Sequence, residues 1–181
     1  MIGADDAPVQ RSVVVVMGVS GTGKSTVAAV LAARLGWPFA EGDDFHPAVN
    51  VAAMRAGRPL TDADRWPWLA SVATWIGERE RAGTGGIVTC SALRRSYRDR
   101  LRTGHSRVRF LCLTAEPELI ASRMAQRSGH YMPTSLLASQ LSTLEPLEPD
   151  EPGTLVDSAQ SLEAIVTAAI DFLSEPAAQP Q

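Results

Sequence analysis

Cysteine is scarce in this chain. The two present, Cys90 and Cys112, each sit inside an apolar run, with no CxxC pair and no histidine at metal-ligand spacing. That argues against a disulfide framework or a zinc site and predicts two reduced thiols in buried strands. Long hydrophobic runs are missing too. The apolar stretch at 13–17 is too short for a signal peptide or a membrane span, which predicts a cytoplasmic protein with no membrane partner. No excess of one charge is present: the net charge is −3, so nothing points to nucleic acid, and any basic residue that matters must act locally, in a site. No repeat occurs at solenoid spacing.

What is present fits one globular domain. A chain of 181 residues, 45% hydrophobic and 20% charged, can bury a core large enough to fold without metal or disulfide staples. The expected domain covers 11–174, with polar tails at 1–10 and 175–181. Short β-branched runs alternate with longer helical patterns. Strands are expected at 13–16, 37–41, 86–90, 108–113 and 154–156. Helices are expected at 26–35, 47–56, 61–81, 91–102, 116–127, 133–144 and 161–173, with Gly36 and Gly57 as stop signals and Thr61-Asp62-Ala63-Asp64 as a capping box. This alternation predicts an α/β fold, a parallel sheet with helices on both faces. Its binding loops should follow Met17, Phe39, Cys90 and Leu113 at the carboxyl edge of the sheet.

Gly18-Val19-Ser20-Gly21-Thr22-Gly23-Lys24-Ser25 matches G-x-x-x-x-G-K-[ST] in full, with a strand before it and a helix, opening at Thr26, after it. The glycines let the backbone curl so that successive N–H groups converge on phosphate oxygens, and the helix N-terminus adds its positive dipole end. Lys24 is placed to reach the β- and γ-phosphates, and the Ser25 hydroxyl to ligate Mg²⁺. The motif identifies nucleoside triphosphate binding and leaves the phosphate acceptor open.

The acceptor has its own candidates. Glu41, Asp43 and Asp44 follow the second strand. One carboxylate there suits a water on Mg²⁺, and another suits an acceptor hydroxyl and its proton. Asp62 and Asp64 complement a helix dipole, whereas Arg65 beside them can clamp an anion. Trp66 and Trp68 read as core or pocket wall. The third strand ends in Cys90-Ser91-Ala92-Leu93-Arg94-Arg95, without the aspartate that a GTPase or motor ATPase carries there. Ser91 can instead bond a polar substrate, and Arg94, Arg95 and Arg98 can attract an anion. Arg123 and Arg127 lie four apart before Ser128-Gly129-His130, where cations on a closing segment would neutralise the transferring phosphoryl group.

Taken in order, Gly18–Ser25, Gly42-Asp43-Asp44-Phe45-His46-Pro47, Pro59-Leu60-Thr61-Asp62-Ala63-Asp64-Arg65 with Pro67-Trp68-Leu69, Cys90-Ser91-Ala92-Leu93 with Tyr97-Arg98-Asp99, Ser122-Arg123 with Arg127 and Gly129-His130, and Ser139-Gln140 with Leu144-Glu145 resemble the gluconokinases, relatives of shikimate and adenylate kinases. The resemblance runs from about residue 13 to 173. It implies a P-loop three-layer fold with a five-stranded parallel sheet, ATP and D-gluconate as substrates, Mg²⁺, a homodimer, and a lid at about 123–140. Asp43 would hold the reacting hydroxyl. His46, Arg65, Ser91, Arg94 or Arg95, His130 and Gln140 would hold the rest of the sugar acid. Arg123 and Arg127 would serve the nucleotide, Arg127 as the lid cation, with Glu41 in the outer sphere of Mg²⁺. The chain departs from the family at Arg94 and Arg95, where Lys is common, and at Glu41, where Asp is common. A shikimate-type kinase is the nearest rival, though its Gly-rich run after strand three is replaced here by Ser91-Ala92-Leu93. A non-catalytic nucleotide switch would leave Asp43 and Arg65 without a role.

Overall fold

The structure, a computed structural model, describes residues 9–126 and 135–176. In chain order the elements are β1 (Val13–Met17), α1 (Lys24–Leu35), β2 (Phe39–Ala40), a 3-10 turn (Gly42–Phe45), α2 (Ala48–Arg55), α3 (Asp62–Arg81), β3 (Gly86–Thr89), α4 (Arg95–Arg102), β4 (Val108–Thr114), α5 (Pro117–Gln126), α6 (Ser135–Thr143), β5 (Gly153–Asp157) and α7 (Leu162–Ser174).

Four consecutive valines with no polar alternation suit a strand covered on both faces. β1 is that strand, at the centre of a sheet ordered β2-β3-β1-β4-β5, and every neighbouring pair is parallel. The pleat splits its side chains between two cores. Val13, Val15 and Met17 pack with Trp68, Leu69, Val72 and Ile76 of α3 and Tyr97 and Leu101 of α4. Val14 and Val16 pack with Val27 and Leu31 of α1 and Ile165, Val166 and Leu173 of α7. The result is the expected three-layer sandwich. Among the described residues no helix is long and apolar enough to cross a membrane. Cys90 and Cys112 are buried free thiols, and burial pushes them up to about 12 and about 11.

Local signals act where they were read. Gly36 ends α1 at φ +65°, a conformation that costs glycine little. The Thr61 hydroxyl accepts from the Asp64 N–H, and the Asp64 carboxylate accepts from the Thr61 N–H at 2.8 Å, closing the capping box that starts α3.

Two elements differ from expectation. The second strand is two residues long, because the Trp37 N–H bonds the Ala32 carbonyl, Pro38 has no N–H, and the chain turns at Gly42. The helix expected from residue 91 begins at Arg95, because Ala92 holds φ +44°, outside the helical region.

Candidate active site

Since all five strands run the same way, the loops after β1, β2 and β3 share one edge. Glycines bring them into contact. The Gly18 N–H bonds the Ser91 carbonyl at 3.3 Å, and the Gly42 N–H bonds Thr89 Oγ1 at 3.0 Å. A Cβ at Gly42 would run into the Thr89 carbonyl, and one at Gly18 into that of Leu113. Trp68 Nε1 donates to the Gly42 carbonyl at 2.7 Å, tying α3 to the same turn.

On the donor side, Gly18, Gly21 and Gly23 all hold positive φ, as a backbone curled around phosphate requires. Lys24, the chain's one lysine, donates to the Val19 carbonyl at 3.0 Å across the loop, as does Thr22 Oγ1 at 2.9 Å. Ser25 and Thr26 lie exposed in the first turn of α1. Beside them opens a cleft of about 330 Å³ between Gly21–Gly23, Thr26, Arg123, Ser158 and Gln160, with room for the rest of a nucleotide.

On the acceptor side, a separate cavity brings together Lys24, Asp43, His46, Arg65, Ser91 and Gln140, six residues singled out from sequence. The 3-10 turn presents Asp43 to it, while Asp44 does not line it. His46 stacks on Trp68 with ring centroids 4.2 Å apart and planes 14° apart. Burial, helped by nearby Arg65 and opposed by Asp43, holds this imidazole down at about 4, so it is neutral at physiological pH. Asn50 Nδ2 lies 3.4 Å from His46 Nδ1 and can only donate, which leaves Nε2 as the protonated nitrogen. Arg65 is largely buried and donates to the Tyr97 hydroxyl at 3.1 Å.

Residues 13–147 match the family described as an AAA domain. The gluconokinase of Gluconobacter oxydans (strain 621H) is 55% identical over 138 residues, covering 76% of this chain and 78% of that protein. The thermoresistant gluconokinase of Escherichia coli K12 is 39% identical over 162 residues, covering 89% and 93%. The chain belongs to the gluconokinase family. A crystal structure of a gluconokinase from Sinorhizobium meliloti 1021 superposes with a TM-score of 0.83 at 44% identity, covering 91% of this chain and 93% of that one.

Against this gluconokinase frame, several arginines stand elsewhere than expected. Arg95 is not at the cavity. Its guanidinium bonds Asp99 at 2.9 Å, Glu148 at 3.0 Å and Asp150 at 2.7 Å on the outer side of α4, so the anions that hold it belong to its own chain. Arg98 is not an anion trap either. Fully buried, it makes a bidentate pair with Glu151 at 2.6 and 2.8 Å and donates to the Ala92, Glu145 and Pro146 carbonyls, riveting the loop at 145–152 to α4. Burial pushes the Glu151 carboxyl up, but the Arg98 hydrogen bonds, the Glu148 N–H and the charges of Arg98 and Arg95 together hold it below its ordinary value. Arg94 pairs with Asp62 at 2.8 Å and does not line the cavity.

Arg123 reaches the nucleotide cleft but is tied to Ser158, at 2.9 Å to Oγ and 2.7 Å to the carbonyl. Gln140 Oε1 accepts from the Ser20 N–H at 2.7 Å and its Nε2 donates to Ser20 Oγ at 3.2 Å, so it touches the phosphate loop as well as the cavity. The Glu41 carboxylate accepts from Thr89 Oγ1 at 2.6 Å. Arg127 and His130, with the rest of 127–134 in the expected lid, lie outside the described residues.

Arg58 and Asn50 are not among the residues singled out from sequence, and Tyr97 stands there only as part of a motif, without a role. Arg58 lines the acceptor cavity. Its signal was the Gly57-Arg58-Pro59 step. Gly57 at φ +71° ends α2 and folds the Arg58 N–H back onto the Ala53 carbonyl, which turns the chain toward the cavity. Asn50 donates to the Asp64 carbonyl at 2.7 Å as well as facing His46, a role that no local pattern announces.

Proposed function

We infer that the chain transfers the γ-phosphate of ATP to the 6-hydroxyl of D-gluconate, giving 6-phosphogluconate and ADP. The observation that carries this reading is the single cavity joining Lys24 of the phosphate loop to Asp43, His46 and the cations Arg58 and Arg65. That set suits a polyol bearing a carboxylate. Asp43 would hold one hydroxyl, neutral His46 would donate from Nε2 to another, and the arginines would attract the acid group.

In the reaction the hydroxyl oxygen forms a bond to the γ-phosphorus as the bond to the β–γ bridging oxygen breaks. The hydroxyl proton passes to Asp43, and the electron pair leaves with ADP. The transition state is loose, so placement of the hydroxyl by Asp43 matters more than its basicity. Lys24 stays with the phosphoryl group as charge shifts toward ADP.

When bound, Mg²⁺ would neutralise charge on the triphosphate. The exposed Ser25 hydroxyl beside Lys24 would hold it, and Glu41, whose carboxylate accepts from Thr89, would accept from its water. These donors fit an ion carried mainly by substrate phosphates and water, and among the described residues no cluster of three His, Cys, Asp or Glu offers a cage of its own. On sequence grounds the reading extends to one kinase domain over 11–174, to Arg127 and His130 acting from a lid, to a homodimer and to a cytoplasmic setting.

A coupled ADP-release assay with Mg-ATP and gluconate, shikimate or no acceptor tests the reading. Release that requires gluconate is expected. Release driven by shikimate alone would transfer the assignment to the sister kinases, and no acceptor dependence would leave a nucleotide switch.

A further inference from the structure

Asp62 has an adequate local explanation as an acid in the first turn of α3, yet both its oxygens are engaged across the fold. Oδ1 accepts the hydroxyl proton of Tyr97, and Oδ2 accepts from Arg94 Nη1 at 2.8 Å. The Tyr97 oxygen in turn accepts from Arg65 Nη1 at 3.1 Å, and the same nitrogen lies 3.7 Å from Asp62 Oδ1. The phenol has one proton, and giving it to Asp62 leaves its lone pairs for Arg65, so the chain Arg65–Tyr97–Asp62 has one direction.

The two guanidinium groups sit 5.6 and 5.9 Å from the centre of the Tyr97 ring, and the one Asp62 carboxylate faces both, at 3.7 Å from Arg65 and 2.8 Å from Arg94. Tyr97 is buried at 1% exposure and cannot swing away. Only Arg65 of the two arginines lines the cavity. Among the described residues its remaining N–H groups have no hydrogen-bond partner, and they form the edge of a planar fork able to take a carboxylate.

We propose that Asp62 and Tyr97 are positioning residues for the acceptor, holding the Arg65 fork at the cavity and Arg94 outside it. Neither touches the acceptor; both act through Arg65. The proposal rests on the assignment of Arg65 to the acid group of gluconate.

The test is a set of double-mutant cycles on gluconate KM, kcat and ATP KM in the full chain. Asp62→Asn keeps the shape and Tyr97→Phe keeps the buried ring while deleting the hydroxyl, so the second variant serves if the first folds poorly. Each should raise gluconate KM roughly tenfold, as loss of one charge-assisted hydrogen bond does, with kcat within about twofold and ATP KM unchanged. In an Arg65→Ala background neither should add anything. If each multiplies the Arg65→Ala effect by its full single-variant factor, or moves ATP KM as much as gluconate KM, the role is structural and the proposal is overturned. If Arg65→Ala raises gluconate KM while Asp62→Asn and Tyr97→Phe leave it alone, the proposal fails and the Arg65 assignment stands. An unchanged KM in Arg65→Ala itself would remove that assignment and the proposal with it.

Discussion

The phosphate loop and the acceptor cavity meet at Lys24 but are built by opposite means. The loop is one contiguous segment whose recognition surface is backbone, shaped by glycines at positive φ and closed by hydrogen bonds to Val19. The cavity is side chain. Asp43 and His46 from one turn, and Arg58, Arg65, Ser91 and Gln140 from other loops and helices, are brought together with the help of distant partners such as Trp68 on Gly42 and Tyr97 on Arg65. A backbone site depends on a few residues that permit its shape. A side-chain site depends on which partner each charge has found, and an arginine near it counts only if its donors face inward.

The largest break in this comparison is expected at their junction. Lys24→Ala should lower kcat by roughly 10³-fold or more with the fold intact, because it removes the charge that follows the phosphoryl group. Circular dichroism together with turnover checks it, and near-normal turnover by the folded variant would contradict the donor half. Arg98→Ala separates structural from functional charge. It strips the buried Glu151 carboxylate of its bidentate partner, leaving it the Glu148 N–H at 2.9 Å and Arg95 at 3.9 Å, and should cost about 3–5 kcal/mol, read as a large drop in the urea midpoint. Gluconate KM of the protein that remains folded should not move.

A smaller effect is set by His46. Its folded value, about 4, lies below its ordinary 6.5, so between these values the unfolded chain binds the extra proton. The stability it contributes is complete above about pH 6.5 and is lost as pH falls toward 4. Tm measured across that window should fall less steeply in His46→Gln than in the parent; parallel curves would show that the imidazole is not held neutral. The smallest effect is expected of Arg95→Ala, which removes outward pairs on half-exposed acids and should leave gluconate KM within about twofold.

The same contrast explains what could be read from sequence. β1, the phosphate loop, the capping box at Thr61 and the Gly36 and Gly57 stops are local, each announced by residues a few positions apart, and the sheet follows from their alternation. Asp43, His46 and Arg65 were legible because they sit at strand or helix ends facing the loop. The arginines after β3 were not. Arg94, Arg95 and Arg98 form one basic run, and only folding shows that Asp62, Asp150 and Glu151, from 32 to 55 positions away, hold them. Ala92 at φ +44° likewise delays α4 by four residues with no glycine to warn of it.

In the proposed reaction one carboxylate, that of Asp43, joins the acceptor half to the transfer step. Turnover with saturating gluconate and ATP should be compared for the parent, Asp43→Asn and Asp44→Asn. Asp43→Asn keeps the side-chain shape and loses the group that takes the proton, so kcat should fall by roughly 10²–10⁴-fold with ATP affinity little changed. Asp44→Asn should be mild, since Asp44 does not line the cavity. A crippled Asp44→Asn beside a nearly normal Asp43→Asn would contradict the account.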